Sequence, residues 1–302
     1  MRQAPLQALP RGKMRRRAFA IRCGVVLWLA LPVALYAQFA YTNVNGAITI
    51  TGYTGPGGNI VIPDHIEGIP VVRIGNHAFS GSTALTGVTI PGSILSMGMF
   101  AFSDCGNLAS VVILNGFMEI GPYAFLACTN LTGVALPESL IWIDMGAFAG
   151  CSSLTSITIP QIVRSIGWGI FSGCTSLTGI FFEGNAPSFT HDGFGFNLIA
   201  TVYYLPGTTG WAPIVEGLPT APWALPAPLI LTTPPDFGVG TNGYGFIISW
   251  ATNAAVVVEA CTDFALPDWS PVGTNTLVEG WSYFSDREWT NYANRFYRLR
   301  SP

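Results

Sequence analysis

Four cysteines, Cys105, Cys128, Cys151 and Cys174, recur at a constant step of 23 residues, and a thiol can bridge, bind metal or attack. In a stack of strands ~4.8 Å apart, their Cα atoms would lie within the range a disulfide allows. Stacked side chains point in parallel, however, which is poor geometry for a bond. No paired C-x-x-C spacing offers a zinc site. Ser82 and Asn197 fall in the same file at its ends, so the slot selects a small side chain rather than a thiol. Buried free thiols are expected, with disulfides or metal as the alternatives, and Cys261 reads as one more buried thiol.

The remaining reactive groups are sparse. His77 and His191 lie about five repeats, or ~24 Å, apart and cannot share a site. His65 sits beside Asp64 and Glu67 in what reads as an exposed loop, with a small metal site as the alternative. Asp263, Asp268 and the run Asp286-Arg287-Glu288 read as loop acids rather than calcium ligands. The chain contains no H-E-x-x-H, G-x-S-x-G or phosphate-cradling loop. No catalytic residue, metal or cofactor is expected.

The step of the cysteines belongs to the whole middle of the chain. Phe79, Phe102, Phe125, Phe148, Phe171 and Phe194 keep it, as do Leu85, Leu108, Leu131, Leu154 and Leu177. Self-similarity at such a period marks a solenoid, in which each unit buries its apolar face only against its neighbours. In the unit 154–176, Leu154-x-x-Ile157-x-Ile159 has the alternation of a strand, with Ile157 and Ile159 inward and Thr158 outward. Pro160 ends that strand, Val163 and Ile166 supply a second inward wall, Gly167 allows a sharp turn, and Phe171 closes the unit on a short helical turn. Outward strand positions in successive units carry Thr, Ser, Gly, Ala and Val, with Phe181 in the last. Without acid, base or histidine, that sheet face cannot do acid–base work.

The repeated pattern L-x-x-I-x-I-P…I-G-x-x-A-F-x-x-C-x-x-L resembles the BspA-like leucine-rich-repeat family of exported bacterial proteins, over about residues 60–206. The stretch Ile60-Val61-Ile62-Pro63…Pro70-Val71-Val72-Arg73-Ile74-Gly75 is similar to that family's first repeat, lengthened by an insertion. The resemblance implies a mainly β leucine-rich-repeat solenoid of 23-residue units with a parallel sheet, and an adhesin-like or matrix-binding role of the kind some members have. Asp144 and Thr190 replace the turn glycine; Thr tolerates a left-handed turn poorly, so distortion is expected in the repeat that holds Thr190.

The ends read differently. Seven of the 13 basic residues lie in the first 22 positions, followed by the apolar stretch from Gly24 to Leu35 and a small residue before Gln38. That is the layout of a secretory signal peptide over residues 1–37, starting at Met1 or Met14 and too short to span a membrane. Beyond it, six arginines face 16 acids, a net charge of −10, which leaves no basic face for nucleic acid. Residues 38–222 are read as the solenoid with its caps, opening with a hairpin around Asn45-Gly46. Residues 223–302 are read as a linker and a small all-β, sandwich-like module. Its arginines, Arg287, Arg295, Arg298 and Arg300, are taken as solvated strand edges, with a sorting or anionic-surface signal as the alternative.

What remains is an exported interaction protein without catalytic activity, whose partner is a protein or glycan on an extracellular surface. The candidate contact residues follow the turn glycine, where polar residues would be normal: Phe100, Tyr123, Met145 and Trp168, flanked by Trp142. An apolar file on a soluble solenoid marks an interface unless the terminal module folds back over it or the repeat's own turn buries it. A carbohydrate-binding protein, using aromatic residues of this ridge or of the terminal module, is the alternative.

Overall fold

The computed structural model describes residues 37–196, 198–232, 237–241, 243–250, 252–263 and 267–300. The signal-peptide reading, together with Asn197, lies outside them. Among the described residues no helix is long and apolar enough to cross a membrane.

The chain is mainly β: a solenoid with a period of about 23 residues, followed by antiparallel sheets. Each turn of the solenoid has three sides. The first is a parallel ladder of the longer strands, Gly58–Val61, Leu85–Ile90, Ser110–Ile113 and Gly133–Ala135, resumed as Ser156–Ile159, Gly179–Phe182, Thr201–Tyr204 and Leu218–Pro222. The second is also a sheet, built from two-residue strands such as Glu119–Ile120, Trp142–Ile143 and Ser165–Ile166. The expected inward wall of Val163 and Ile166 is therefore half of a ladder in its own right. The first ladder is interrupted between Gly133–Ala135 and Ser156–Ile159, while the second runs through. The rung that lets go carries Ala135, a poor strand former, where the rungs beside it have Val112 and Thr158.

The third side was expected as a short helical turn and is a pair of successive tight turns. The His77 carbonyl accepts the Ser80 N–H at 3.1 Å, and the Phe79 carbonyl accepts the Ser82 N–H at 3.1 Å. This side is also tied laterally: the N–H groups of His77, Phe79 and Gly81 donate to Met99, Ala101 and Ser103 of the next turn at 2.7–3.0 Å. Inside, the phenylalanine file is fully buried, its rings stacked face to face 4.6–6.4 Å apart from Phe79 to Phe194.

The turn glycine does a different job from the one expected. Gly98, Gly121 and Gly167 are not left-handed; a Cβ at Gly98 would come 2.9 Å from the Asn76 nitrogen, and one at Gly167 would come 2.7 Å from the Asp144 carbonyl carbon. They are needed because successive turns approach closely here. The left-handed residues stand two places later, at His77, Phe100, Tyr123, Gly146, Gly169 and Asp192, with φ between 53° and 64°. The turn that contains Thr190 is distorted, but not through the left-handed strain expected, since the left-handed residue there is Asp192. Elsewhere alternate N–H groups cross to the next turn, but here Gly169, Ile170 and Phe171 donate consecutively to Asp192, Gly193 and Phe194.

The N-terminal end is covered by the hairpin Phe39–Val44 and Ala47–Tyr53, turning at Asn45 and Gly46 with φ of 53° and 77°. Ile48 and Ile50 point inward, fully buried, and the second strand continues into the solenoid ladder through Ile69–Ile74. The insertion before that strand is a small hairpin, His65–Ile66 against Ile69–Ile74. At the other end, Leu231 and Ile247 pack with Leu205, and Trp223 and Leu225 seal the junction.

The terminal sheets have four and three antiparallel strands and share the core Phe246, Ile248, Val256, Val258, Leu277 and Phe284. Two expectations about its charges are corrected. Asp286 is buried in a strand rather than in a solvated loop; it pairs with Arg295 at 2.6 Å and accepts the Tyr297 hydroxyl at 2.9 Å. Arg298 and Arg300 converge on Glu259, whose side chain is only 7% exposed, at 2.7 and 3.0 Å. Arg298 and Arg300, 49% and 53% exposed on the edge strand Phe296–Arg300, are solvated as expected while also pairing with Glu259; Arg295, 11% exposed, is not, because the buried Asp286 must be paired.

Candidate functional site

The cysteine file is a structural device. Cys105, Cys128, Cys151 and Cys174 are free and buried, and each thiol donates to the phenylalanine carbonyl of the preceding turn at 3.1–3.2 Å. The Phe79, Phe125 and Phe148 carbonyls also close a tight turn, so the slot favours a small side chain that can donate. Cys, Ser and Asn share that property, which refines the expectation of a merely small residue. Burial pushes the Cys174 thiol up to about 12 and holds Cys151 well above the ordinary range. Protonated thiols of this kind are not nucleophiles.

His65 lies 3.4 Å from Asp64 on the exposed hairpin, and His77 stacks on Phe100 with ring centroids 5.0 Å apart. Among the described residues no group of three metal-ligating side chains forms. Glu183, just past Gly179–Phe182, is pushed up to about 7, first by burial and then by the charge of Glu138.

The five residues singled out in the sequence divide into two groups. Phe100 and Tyr123 extend the stack begun by His77, with ring centroids 5.2 Å apart, and are half-buried. The Tyr123 ring lies over Gly146, which leaves room for it. Both aromatics hold left-handed backbone, a strain of about 1–2 kcal/mol each that glycine avoids at the same position in later turns. Met145 and Trp168 belong to the neighbouring file with Met99 and Pro122; Trp168 is 41% exposed and meets Phe196 edge-on at 6.4 Å. Among the described residues Met99 and Trp168 stay 40% and 41% exposed, and the terminal module meets the array through Leu205 and a Gln161–Thr232 hydrogen bond.

Trp142 stands apart, on the outer face of the short-strand sheet and 46% exposed. It is the ladder partner of Glu119 on one side and Ser165 on the other. Together with Asp144, Gly167 and Thr190 these residues line a recess of about 460 Å³, a size typical of small-molecule clefts. Glu119, Asp144, Ser165 and Thr190 were not recognised as site residues. The signal was present: Asp144 and Thr190 are the two departures from the turn-glycine file, and both face this recess. A larger recess of about 630 Å³ in the terminal module is lined by Asp286 and Arg295, whose charges already pair with each other.

Residues 58–202 match, in six copies, the family described as the BspA type leucine-rich-repeat region. No curated protein matches the chain. Among solved structures, a leucine-rich-repeat protein of T. pallidum is 36% identical over 48% of this chain and 68% of that one, with a TM-score of 0.46. A leucine-rich cell surface protein of Faecalibacterium prausnitzii is 31% identical over 56% of this chain, which spans 44% of that protein, with a TM-score of 0.44. A leucine-rich-repeat protein of Bacteroides capillosus is 29% identical over 49% of this chain and 95% of that one, with a TM-score of 0.35. On its repeated sequence and on its identity with the T. pallidum protein, the chain belongs to the BspA-type leucine-rich-repeat family.

Proposed function

We propose that this protein is exported and displayed at the cell surface, where it acts as a non-catalytic scaffold that binds a protein partner through its aromatic ridge. The supporting observation is the exposure of large apolar side chains on a rigid array: Met99 and Trp168, in one file after the turn glycine, are 40% and 41% exposed. Exposed tryptophans held by a stiff backbone lose little entropy when a partner desolvates them, which makes them effective anchors. The basic and apolar leader supports export, as does the similarity to a protein described as a cell surface protein. The first sheet's outer face, without proton carriers, supports a binding role over catalysis.

Two measurements test the reading. Protease treatment of intact cells should digest the chain if it is displayed; full protection until the cells are lysed refutes display. Purified chain from residue 38 should bind a member of an immobilised matrix-protein panel, and Trp168→Ser should weaken that binding by ~10-fold or more. Equal binding by the variant rules out the ridge.

A further inference from the structure

We propose that the recess beside Trp142 is a separate site for one ring of a neutral sugar. This does not depend on the ridge binding a protein, and the residues that carry it are different. The argument starts from the turn-glycine file. Gly75, Gly98 and Gly121 keep this corner of the solenoid free of side chains, because a Cβ would meet the backbone of the preceding turn, at 2.9 Å from the Ile50 oxygen in the case of Gly75. Asp144 and Thr190 break the file, and the backbone pairing of the Thr190 turn is altered as well. Local rules broken twice at one corner, with both side chains facing the same recess, indicate a function that offsets the packing cost.

The groups gathered there suit a polyol. Glu119, Trp142 and Ser165 are consecutive partners across a parallel ladder, so their outward side chains are spaced at about 4.8 Å intervals. A sugar ring lying on the exposed Trp142 indole would have a carboxylate on one side and a hydroxyl on the other. Asp144 and Thr190 supply a second carboxylate and hydroxyl along the corner. The Met145 N–H donates to one Asp144 oxygen at 2.6 Å, which fixes that side chain at the rim. Each sugar hydroxyl both donates and accepts, and this recess offers two acceptor carboxylates, the Ser165 hydroxyl as a donor, and the Thr190 oxygen as an acceptor, since its proton goes to the Ile166 carbonyl at 3.5 Å. The two carboxylates repel acidic sugars. A cation such as an arginine side chain would use the indole and the carboxylates but has no use for the Ser165 donor, so the neutral ring fits better.

The test uses the chain from residue 38, titrated with cellotetraose, mannotetraose, maltotetraose and tetra-N-acetylchitotetraose, and with an Arg-containing peptide as the competing chemistry. Binding is read by calorimetry and by Trp fluorescence. One oligosaccharide should bind with Kd on the order of 1 mM or tighter. Trp142→Ala should weaken it ~10-fold or more, and so should Asp144→Gly, which restores the residue that other turns carry and so leaves the fold intact. Trp168→Ser, in the ridge, should leave sugar binding unchanged. No binding by any of the four sugars, binding insensitive to Asp144→Gly, or preference for the arginine peptide would each overturn the proposal. Loss of sugar binding in Trp168→Ser but not in Trp142→Ala would move the site to the ridge and overturn it as well.

Discussion

Replacing Phe148 with alanine tests the collective character of the array. Its ring is fully buried and stacked between Phe125 and Phe171, with centroids 5.4 and 6.0 Å away. Truncation removes both stacking partners' contact and opens a void that two rigid neighbouring turns cannot close, so a loss of ~3–5 kcal/mol is expected. If the folded unit Gln38–Pro302 unfolds cooperatively, an unfolding entropy of ~2.1 cal/mol/K per residue turns that loss into a fall of ~5–9 °C in Tm. The control is His65→Ala on the exposed hairpin, where the side chain is 52% exposed and a change within ~0.5 kcal/mol is expected. Thermal melts followed by circular dichroism give the comparison, and hydrogen exchange locates the damage. Protection should fall in the turns on both sides of Phe148, because each turn is stable only against its neighbours. Equal melting temperatures for the two variants, or loss of protection confined to one turn, would refute the reasoning.

Other expectations follow from particular groups. With the thiols buried and Cys174 raised to about 12, folded protein at pH 8 should take no alkylating label at Cys128, Cys151 or Cys174, whereas protein unfolded without reductant should be labelled at all four file cysteines; a mass corresponding to any crosslinked pair would contradict this. Cys128→Ser keeps a donor for the Phe102 carbonyl and should be better tolerated than Cys128→Val, by ~1–3 kcal/mol in denaturant melts. Glu183 binds its proton more tightly when folded, so stability should decline as pH rises from the unfolded carboxylate value of ~4.3 through about 7, and Glu183→Gln should flatten that slope. Arg298 and Arg300 hold Glu259 below the usual carboxylate range, so that contribution is present above pH ~4.3 and should be lost as pH falls further. Asp286→Ala strands Arg295, whose side chain is 11% exposed, and should cost ~3–5 kcal/mol in the stability of the terminal module.

The repeat was legible from residue types alone because a solenoid places residues 23 apart side by side. A column of phenylalanine, leucine or cysteine in the sequence is therefore already a column in space, and its burial follows from its apolar character. The N-terminal hairpin was legible for a similar local reason: Asn45-Gly46 supplies the two left-handed residues its tight turn requires. Tertiary structure decided what depends on the distance between neighbouring turns and on the direction of a side chain. Strands of two residues, such as Ser165–Ile166, carry too little alternation to be read, yet they assemble a complete second sheet. The turn glycines serve close backbone approach, while left-handed geometry falls on Phe100 and Tyr123, residues no propensity would place there. The pairing of Asp286 with Arg295, and of Glu259 with Arg298 and Arg300, depends on which strands lie together across the module. The recess likewise joins Glu119, Trp142, Ser165 and Thr190 from four successive turns. Sequence spacing brings those turns together, but only the fold shows that their polar side chains leave the backbone on the same side.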